Sequence, residues 1–302
     1  MKNYIAIDGG TTNTRLTLLS DGEIKEKIRL RTGVKNNIES TKKYEKEICG
    51  AIAVMAEKYE IEHIICSGMI TSELGLCPLK HLSAPCGIKE LHEEMYITKL
   101  ADIPTAYIRG VKLCGNGIEN TDVMRGEETE LFGIADVPEC GALYILPGSH
   151  SKHIYTDSLG RIKSFSTQLS GELINAAANH TILKECVNLN LSGFDAEYLQ
   201  KGYTAAQTLG VNAAVFKTRL LKTLFDLNEK EIYSYFIGCM LSAETASAVN
   251  SDAQHIIIGG KQALKAPMAH LLKCNSKKIV TAVSDGIADN ASAIGALRIF
   301  LY

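Results

Sequence analysis

Apolar positions along the chain fall into two kinds of run. Short β-branched stretches bounded by Gly, Asp or Ser predict strands over Tyr4–Asp8, Arg15–Ser20, Ile24–Arg29, His63–Cys66, Thr105–Ile108, Ala142–Leu146, Lys152–Thr156, Ile162–Thr167, His255–Ile258 and Ile279–Ala282. Elsewhere apolar residues recur at helical spacing. Ile48, Ile52 and Met55 mark a helix within Ile38–Tyr59, and the pattern continues over Ala205–Phe225 and Lys230–Val249. Helices therefore dominate between Leu169 and Asn250, and a last one is predicted over Ile287–Leu301. A hairpin sheet, then strand and helix alternation, then a helical block and a closing strand-helix-strand-helix run reads as α/β in two lobes.

The pattern repeats. Shifting the frame by 138 positions sets the opening strand, loop and strand against Leu143–Thr156, with Ile7 on Ile145, Gly10 on Gly148, Thr11 on Ser149 and Gly22 on Gly160. Ile24 and Lys25 fall on Ile162 and Lys163 in the same register. A duplicated strand, small-residue loop, strand unit implies two similar half-molecules facing one cleft. Pro138 and Gly141 punctuate the chain just before the second copy and mark the boundary between a lobe over 1–138 and one over 139–286.

Composition narrows the partners. At 302 residues the chain has ample interior to bury, and a net charge of -2 gives no basic face for nucleic acid. No segment approaches the roughly 20 apolar residues needed to span a bilayer, no Lys/Arg run suits a membrane surface, and the opening Met1-Lys-Asn3 lacks a secretory pattern. A cytoplasmic protein is expected. Nine cysteines without a C-x-x-C pair fit neither zinc nor a disulfide framework, so they are expected reduced, nearly all as buried small hydrophobes.

Several segments carry candidate chemistry. In Asp8-Gly-Gly-Thr-Thr-Asn13 the glycines Gly9 and Gly10 let the backbone approach a ligand, and loop N–H groups with Thr11, Thr12 and Asn13 can donate to phosphate oxygens. Asp8 suits Mg²⁺, which prefers one or two carboxylates plus substrate phosphates. The second copy keeps Gly148 and Ser149 but has no acid in the place of Asp8; His150 and Lys152 add donors, with a structural histidine as the alternative for His150. Arg125 precedes Gly126 and the acids Glu127, Glu128 and Glu130 at a helix start. Either the acids only complement the helix dipole, or Arg125 forks onto a substrate carboxylate while Glu127 or Glu128 accepts a hydroxyl proton. At Ser170-Gly171-Glu172 helix capping by Ser170 competes with a cleft-facing role for Glu172. Gly259-Gly260-Lys261 ends a buried strand in bare backbone suited to adenosine. The small residues Gly286, Ala288, Ala291 and Gly295 suit close helix packing or a hinge better than ligand contact.

Taken together, Ile5–Arg15, Cys66–Ile70, Val123–Gly133, Pro147–Lys152 and Thr167–Leu173 resemble the 2-dehydro-3-deoxygalactonokinase family over essentially the whole length. The resemblance implies the duplicated ribonuclease H-like fold of sugar kinases, actin and Hsp70, with an interdomain cleft and the last helix (287–302) joined back to the first lobe. It implies ATP and Mg²⁺ as cofactors, a small-molecule sugar acid as partner with a homodimer allowed, and transfer of the γ-phosphate to the 6-hydroxyl of 2-dehydro-3-deoxy-D-galactonate. This sequence departs from the family at Gly9, where the family carries a tryptophan after the aspartate. The residues expected to act are Asp8, Glu127, Glu128 and His150 in catalysis, and Gly9, Gly10, Thr11, Thr12, Asn13, Gly148 and Ser149 on phosphate. Gly259 and Gly260 would take adenosine, and Arg125, Lys152 and Glu172 the substrate. A kinase for another sugar or sugar acid is one alternative, and a nucleotide-switched ATPase another. A sugar-responsive repressor would need a DNA-binding helix pair before the first strand, which starts at residue 4.

Overall fold

The structure, a computed structural model, describes residues 2–35, 41–135, 138–260 and 262–302. Residues 38–40 of the first predicted helix and Lys261 of the glycine motif lie outside the described residues. In chain order the first half holds β1 (Asn3–Gly9), β2 (Thr14–Ser20), β3 (Glu23–Leu30), α1 (Thr41–Ala56) and β4 (His63–Gly68). It continues with β5 (Leu82–Ser83), α2 (Ile88–Glu93), β6 (Tyr96–Leu100), β7 (Ile103–Tyr107), β8 (Val111–Cys114), β9 (Thr121–Met124) and α3 (Glu127–Ile134). The second half holds β10 (Leu143–Leu146), β11 (Ser151–Thr156), β12 (Ile162–Gln168), α4 (Ser170–His180), α5 (Ala196–Leu209), α6 (Val211–Phe225) and α7 (Glu229–Val249). There follow β13 (His255–Ile258), α8 (Gln262–Asn275), β14 (Ile279–Ala282), α9 (Asp285–Ala288) and α10 (Ala291–Leu301).

Two compact units result. One comprises residues 1–140, 156–165 and 286–302, the other residues 141–155 and 166–285. The main sheet of the first runs β3-β2-β1-β4-β7-β6 and the sheet of the second β12-β11-β10-β13-β14, so each has its third, second, first, fourth and fifth principal strands in the same order. In each, the first strand pairs antiparallel with the second and parallel with the fourth. Gly22 and Gly160, matched by the 138-residue register, both turn their hairpins at positive φ (85° and 71°), where a side chain is strained. The duplicated ribonuclease H-like architecture is thus present down to the turn residues.

Each unit has its own core. In the first, Ile5 and Ile7 of β1 and Leu16 and Leu18 of β2 alternate onto one face and meet Tyr44, Ile48, Ile52 and Met55 of α1. The helix α10 packs on α3, β1 and β4. Gly133 and Gly295 make this approach close: a Cβ there would lie 1.7 Å from the Ala291 carbonyl oxygen and 1.8 Å from that of Thr129. In the second unit Leu143, Ile145, Ile256 and Ile258 face Phe236, Ile237 and Leu241 of α7 and Met268 and Leu272 of α8.

The structure departs from the sequence reading in several places. The helical stretch predicted over Ala205–Phe225 is two helices, because Gly210 turns the chain at φ 80° between α5 and α6, and α5 already starts at Ala196 behind the N-cap Asp195. The last helix is interrupted at Asp289 and Asn290. The strands β5, β6, β8 and β9 carry too little apolar alternation to be read. Among the cysteines, Cys66, Cys86, Cys186 and Cys239 are buried, whereas Cys114, Cys140 and Cys274 are exposed, against the expectation for nearly all.

Candidate active site

In the first unit the ends of the parallel neighbours β1 and β4 meet, with Asp8 beside Ser67 and Gly9 beside Gly68. Ligands in open α/β sheets sit outside the carboxyl ends of strands. Three glycine backbones crowd there. A Cβ on Gly9 would lie 2.7 Å from the Ile70 Cβ, one on Gly68 2.6 Å from the Gly9 carbonyl oxygen, and one on Gly126 3.3 Å from the Gly68 Cα. Gly68 and Gly126 also hold φ of 77° and 112°. In this chain bare backbone fills the spot, with Gly9 packed against Ile70 of the turn at Met69–Thr71.

Asp8 projects from the end of β1 toward Gly68, its Oδ1 being 3.0 Å from where a Cβ on Gly68 would stand. Its Oδ2 accepts from Nε (3.1 Å) and Nη2 of its cross-strand partner Arg15. The carboxylate holds the Arg15 guanidinium above its ordinary pKa against the downward pull of burial, and Glu130 and Asp289 add to it. With side chains 17% and 48% exposed, this ion pair contributes at most about 1 kcal/mol. Stability does not account for an acid here. The loop that follows is a tight turn in which the Gly10 N–H donates to the Asn13 carbonyl at 2.9 Å, so that amide is engaged rather than aimed at a ligand. The Asn13 Nδ2 donates to the Thr12 hydroxyl at 2.9 Å, and Thr11 and Thr12 stand exposed at the tip.

The segment Met124–Thr129 meets the same strand ends through Gly126. The Glu127 Oε2 accepts from the Arg125 N–H at 2.9 Å, while both Glu128 oxygens accept from the Gly126 N–H at 2.8 Å. These acids therefore bind the two amides just before α3. They differ in surroundings. Glu128 is completely buried, and burial, then its neighbour Glu127, pushes its carboxyl up to about 8; Glu127 is only half-buried. The Arg125 Nη1 donates to the Thr71 carbonyl (2.7 Å) and hydroxyl, and its Nη2 to the Leu79 carbonyl (3.0 Å) and a ring nitrogen of His81 (Nε2 at 3.1 Å). Burial, then Arg125 and Lys112, lowers His81 to about 4, so near neutral pH the ring is uncharged and can accept.

The second unit gathers its own set at the ends of β10 and β13. Ser149 and His150 are exposed, and the His150 Nε2 lies 3.0 Å from Oε1 of Glu172. The helix α4 abuts the loop: the Glu172 N–H donates to the Ser149 carbonyl at 3.2 Å, and a Cβ on Gly171 would stand 2.2 Å from the Gly148 carbonyl oxygen. The Gly259 N–H donates to the Ile145 carbonyl at 2.9 Å, and Gly260, at φ 70°, lies against Pro147. The residues expected to take adenosine thus adjoin the second loop. Two expectations fail in detail. Ser170 makes no capping bond at the start of α4 and instead donates to Glu244. Lys152 is buried and gives its ammonium to the Thr167 hydroxyl.

The 2-keto-3-deoxy-galactonokinase family model matches residues 8–299, from the Asp8 carboxylate to the last helix. The chain belongs to this family. It is accordingly a kinase that uses ATP and transfers a phosphoryl group to an alcohol group. It is similar to the 2-dehydro-3-deoxygalactonokinase of Escherichia coli (strain K12), 29% identical over 262 residues, which are 84% of this chain and 83% of that protein. A Rhizobium meliloti (strain 1021) protein that bears the same name provisionally is 30% identical over 260 residues, covering 85% of this chain and 78% of its own. A crystal structure from Sinorhizobium meliloti with a provisional 2-dehydro-3-deoxygalactonokinase description superposes with a TM-score of 0.82 at 23% identity, over 98% of this chain and 97% of that one, and supports the fold. No helix among the described residues is long and apolar enough to cross a membrane.

Within this kinase frame, sequence reasoning passed over Gly68, Thr71, His81 and Glu244. The Cys66-Ser-Gly-Met-Ile70 block holds Gly68 and ends one residue before Thr71. For His81 and Glu244, isolated in sequence from every motif, there was no signal.

Proposed function

We propose that the chain phosphorylates the 6-hydroxyl of 2-dehydro-3-deoxy-D-galactonate, with Asp8, Glu127 and Arg125 as the acting residues of the first unit. The observation that carries this reading is the meeting of the Asp8 carboxylate, the Gly9, Gly68 and Gly126 backbones and the Arg125-Gly126-Glu127 junction at the ends of two neighbouring strands. Phosphoryl transfer needs little covalent help, so positioning and charge neutralisation dominate. Thr11, Thr12 and Asn13 in the first unit, and Gly148, Ser149 and His150 in the second, would donate to phosphate oxygens. Gly259 and Gly260 would lie against adenosine.

Mg²⁺ fits the donors present. The Asp8 carboxylate at a strand end, with one oxygen facing Gly68, suits an ion that keeps most of its waters and shares phosphate oxygens, and Asp8 would hold it. When bound, it supplies charge neutralisation at the phosphates.

Of the two adjoining acids, Glu127 is the better proton acceptor. Glu128, raised to about 8, is largely protonated near neutral pH and buried beyond a substrate's reach. Arg125 would take the substrate carboxylate by exchanging its longest hydrogen bonds, those to His81, for the incoming oxygens. Glu172, tied to His150, orients that imidazole. The buried ammonium of Lys152 binds β11 to β12 rather than meeting substrate. Action in the cytoplasm, where ATP is at hand, goes with this reading.

A coupled assay of ATP consumption against a panel of 2-keto-3-deoxy acids and plain hexoses tests the proposal. Turnover should require a sugar acid and favour the galactonate derivative. ATP hydrolysis at the same rate without any sugar acid, or equal rates on hexoses, would sink it.

A further inference from the structure

We propose that Glu244 is a positioning residue for phosphoryl transfer, clamping from beneath the loop Pro147–His150 and the start of α4. The inference rests on the reading of Gly148 and Ser149 as phosphate contacts. Successive strand residues point to opposite faces, so Ser151 and His153, two apart on β11, share one face and Lys152 takes the other. On that shared face stands α7, which presents the buried carboxylate of Glu244. Its Oε1 accepts from the Ser151 hydroxyl and from Nε2 of His153 at 3.1 Å, and its Oε2 accepts from the Ser170 hydroxyl at 2.5 Å. Ser151, His153 and Glu244 are 1%, 0% and 2% exposed.

Packing alone does not call for this arrangement. A buried carboxylate without donors is strongly unfavourable, and replacing such polar groups by apolar ones of similar size is often neutral for stability. The donors overcome the upward push of burial and hold the Glu244 carboxyl below its ordinary range. The Nδ1 of His153 has no hydrogen-bond partner among the described residues. Facing the carboxylate, Nε2 is the ring nitrogen that donates to Glu244.

The consequence is geometric. Ser151 lies two residues after Ser149, and Ser170 two residues before Glu172, so one carboxylate fixes both segments that carry the exposed pair His150 and Glu172. The contacts of Gly171 with Gly148 and of the Glu172 N–H with Ser149 lie directly over the clamp. Loosening either link lets the loop drift, and a shift of about 1 Å in a positioning group can cost up to about 100-fold in rate.

The test is steady-state kinetics on the full chain with ATP and the sugar acid, beside thermal unfolding. Ser170→Ala cuts only the link to α4 and should raise the KM for ATP about tenfold, the effect of one hydrogen bond to a charged group, with the KM for the sugar acid within about twofold of the wild type. Ser170→Thr keeps the hydroxyl and should restore the ATP KM. Glu244→Gln keeps the shape and one acceptor and should show the same selective rise. A lowered melting temperature with an unchanged ATP KM in both Ser170→Ala and Glu244→Gln overturns the proposal, because it leaves the network a structural role only. Ser149→Ala separates the two readings. If it raises the ATP KM while Ser170→Ala does not, the clamp alone is wrong; if it leaves the KM unchanged, the phosphate role of the loop falls and the clamp with it.

Discussion

At Asp8 the balance of energies already points to function. An ion pair with a half-exposed arginine adds too little to explain an acid at the end of β1, so removing its charge should spare folding and strike turnover. Asp8→Asn is expected to unfold at the wild-type temperature and to lose nearly all activity; wild-type turnover would remove Asp8 from the reaction. The acids of α3 divide by environment. Glu127→Gln should lower kcat by about 100-fold or more, the usual worth of a general base, whereas Glu128→Gln should act on stability. The folded Glu128 carboxyl, at about 8, keeps its proton while the unfolded one, near 4.5, releases it. Between those values the folded chain binds more protons, and the stability Glu128 contributes, fully present below about pH 4.5, is lost as pH rises through about 8. Unfolding in denaturant across this range should show the decline in the wild type and a flatter profile in Glu128→Gln. Equal slopes would refute the assignment. The sequence placed both acids at the helix start but left them equivalent, because their difference is burial, and burial is set by chain segments distant in sequence.

At the level of elements, glycines in helices separate what local propensity decides from what packing decides. Gly50 lies inside α1 with nothing within 4 Å of an added Cβ. Gly50→Ala should stabilise the chain by up to about 1 kcal/mol through propensity alone. Gly295 sits in α10, where the same methyl would stand 1.8 Å from the Thr129 carbonyl oxygen. Gly295→Ala should destabilise by more than Gly50→Ala stabilises, since α10 and α3 must separate or shift. Urea midpoints of the two variants compare them directly, and a stabilised Gly295→Ala would contradict the close approach. Short β-branched runs were legible: His255–Ile258 and Ile279–Ala282 were read to the residue. The strands β8 and β9 were not, because Val111-Lys-Leu-Cys114 and Thr121-Asp-Val-Met124 are short and mixed, and they form by pairing in a three-stranded sheet with β5. That small sheet delivers Arg125 to its place.

For the whole molecule, the duplication is the organising fact, each copy having its own sheet and core and its own loop at the end of its first strand. A nucleotide that binds only the folded chain must stabilise it, by about 2.7 kcal/mol at a concentration 100 times its Kd. Thermal unfolding with saturating ATP should therefore show a clear upward shift, and its absence would deny the nucleotide site. The sequence by itself determined the repeat, the principal strands and the family, because β-branched runs, turn glycines and contiguous motifs are written locally. Tertiary structure decided which acid is buried, that Gly9 packs bare against Ile70, that the Gly10 amide closes a turn, and that Ser170 serves Glu244 rather than its own helix. Each of these depends on atoms brought together from distant positions or on which backbone amide finds a partner, and no periodicity records that.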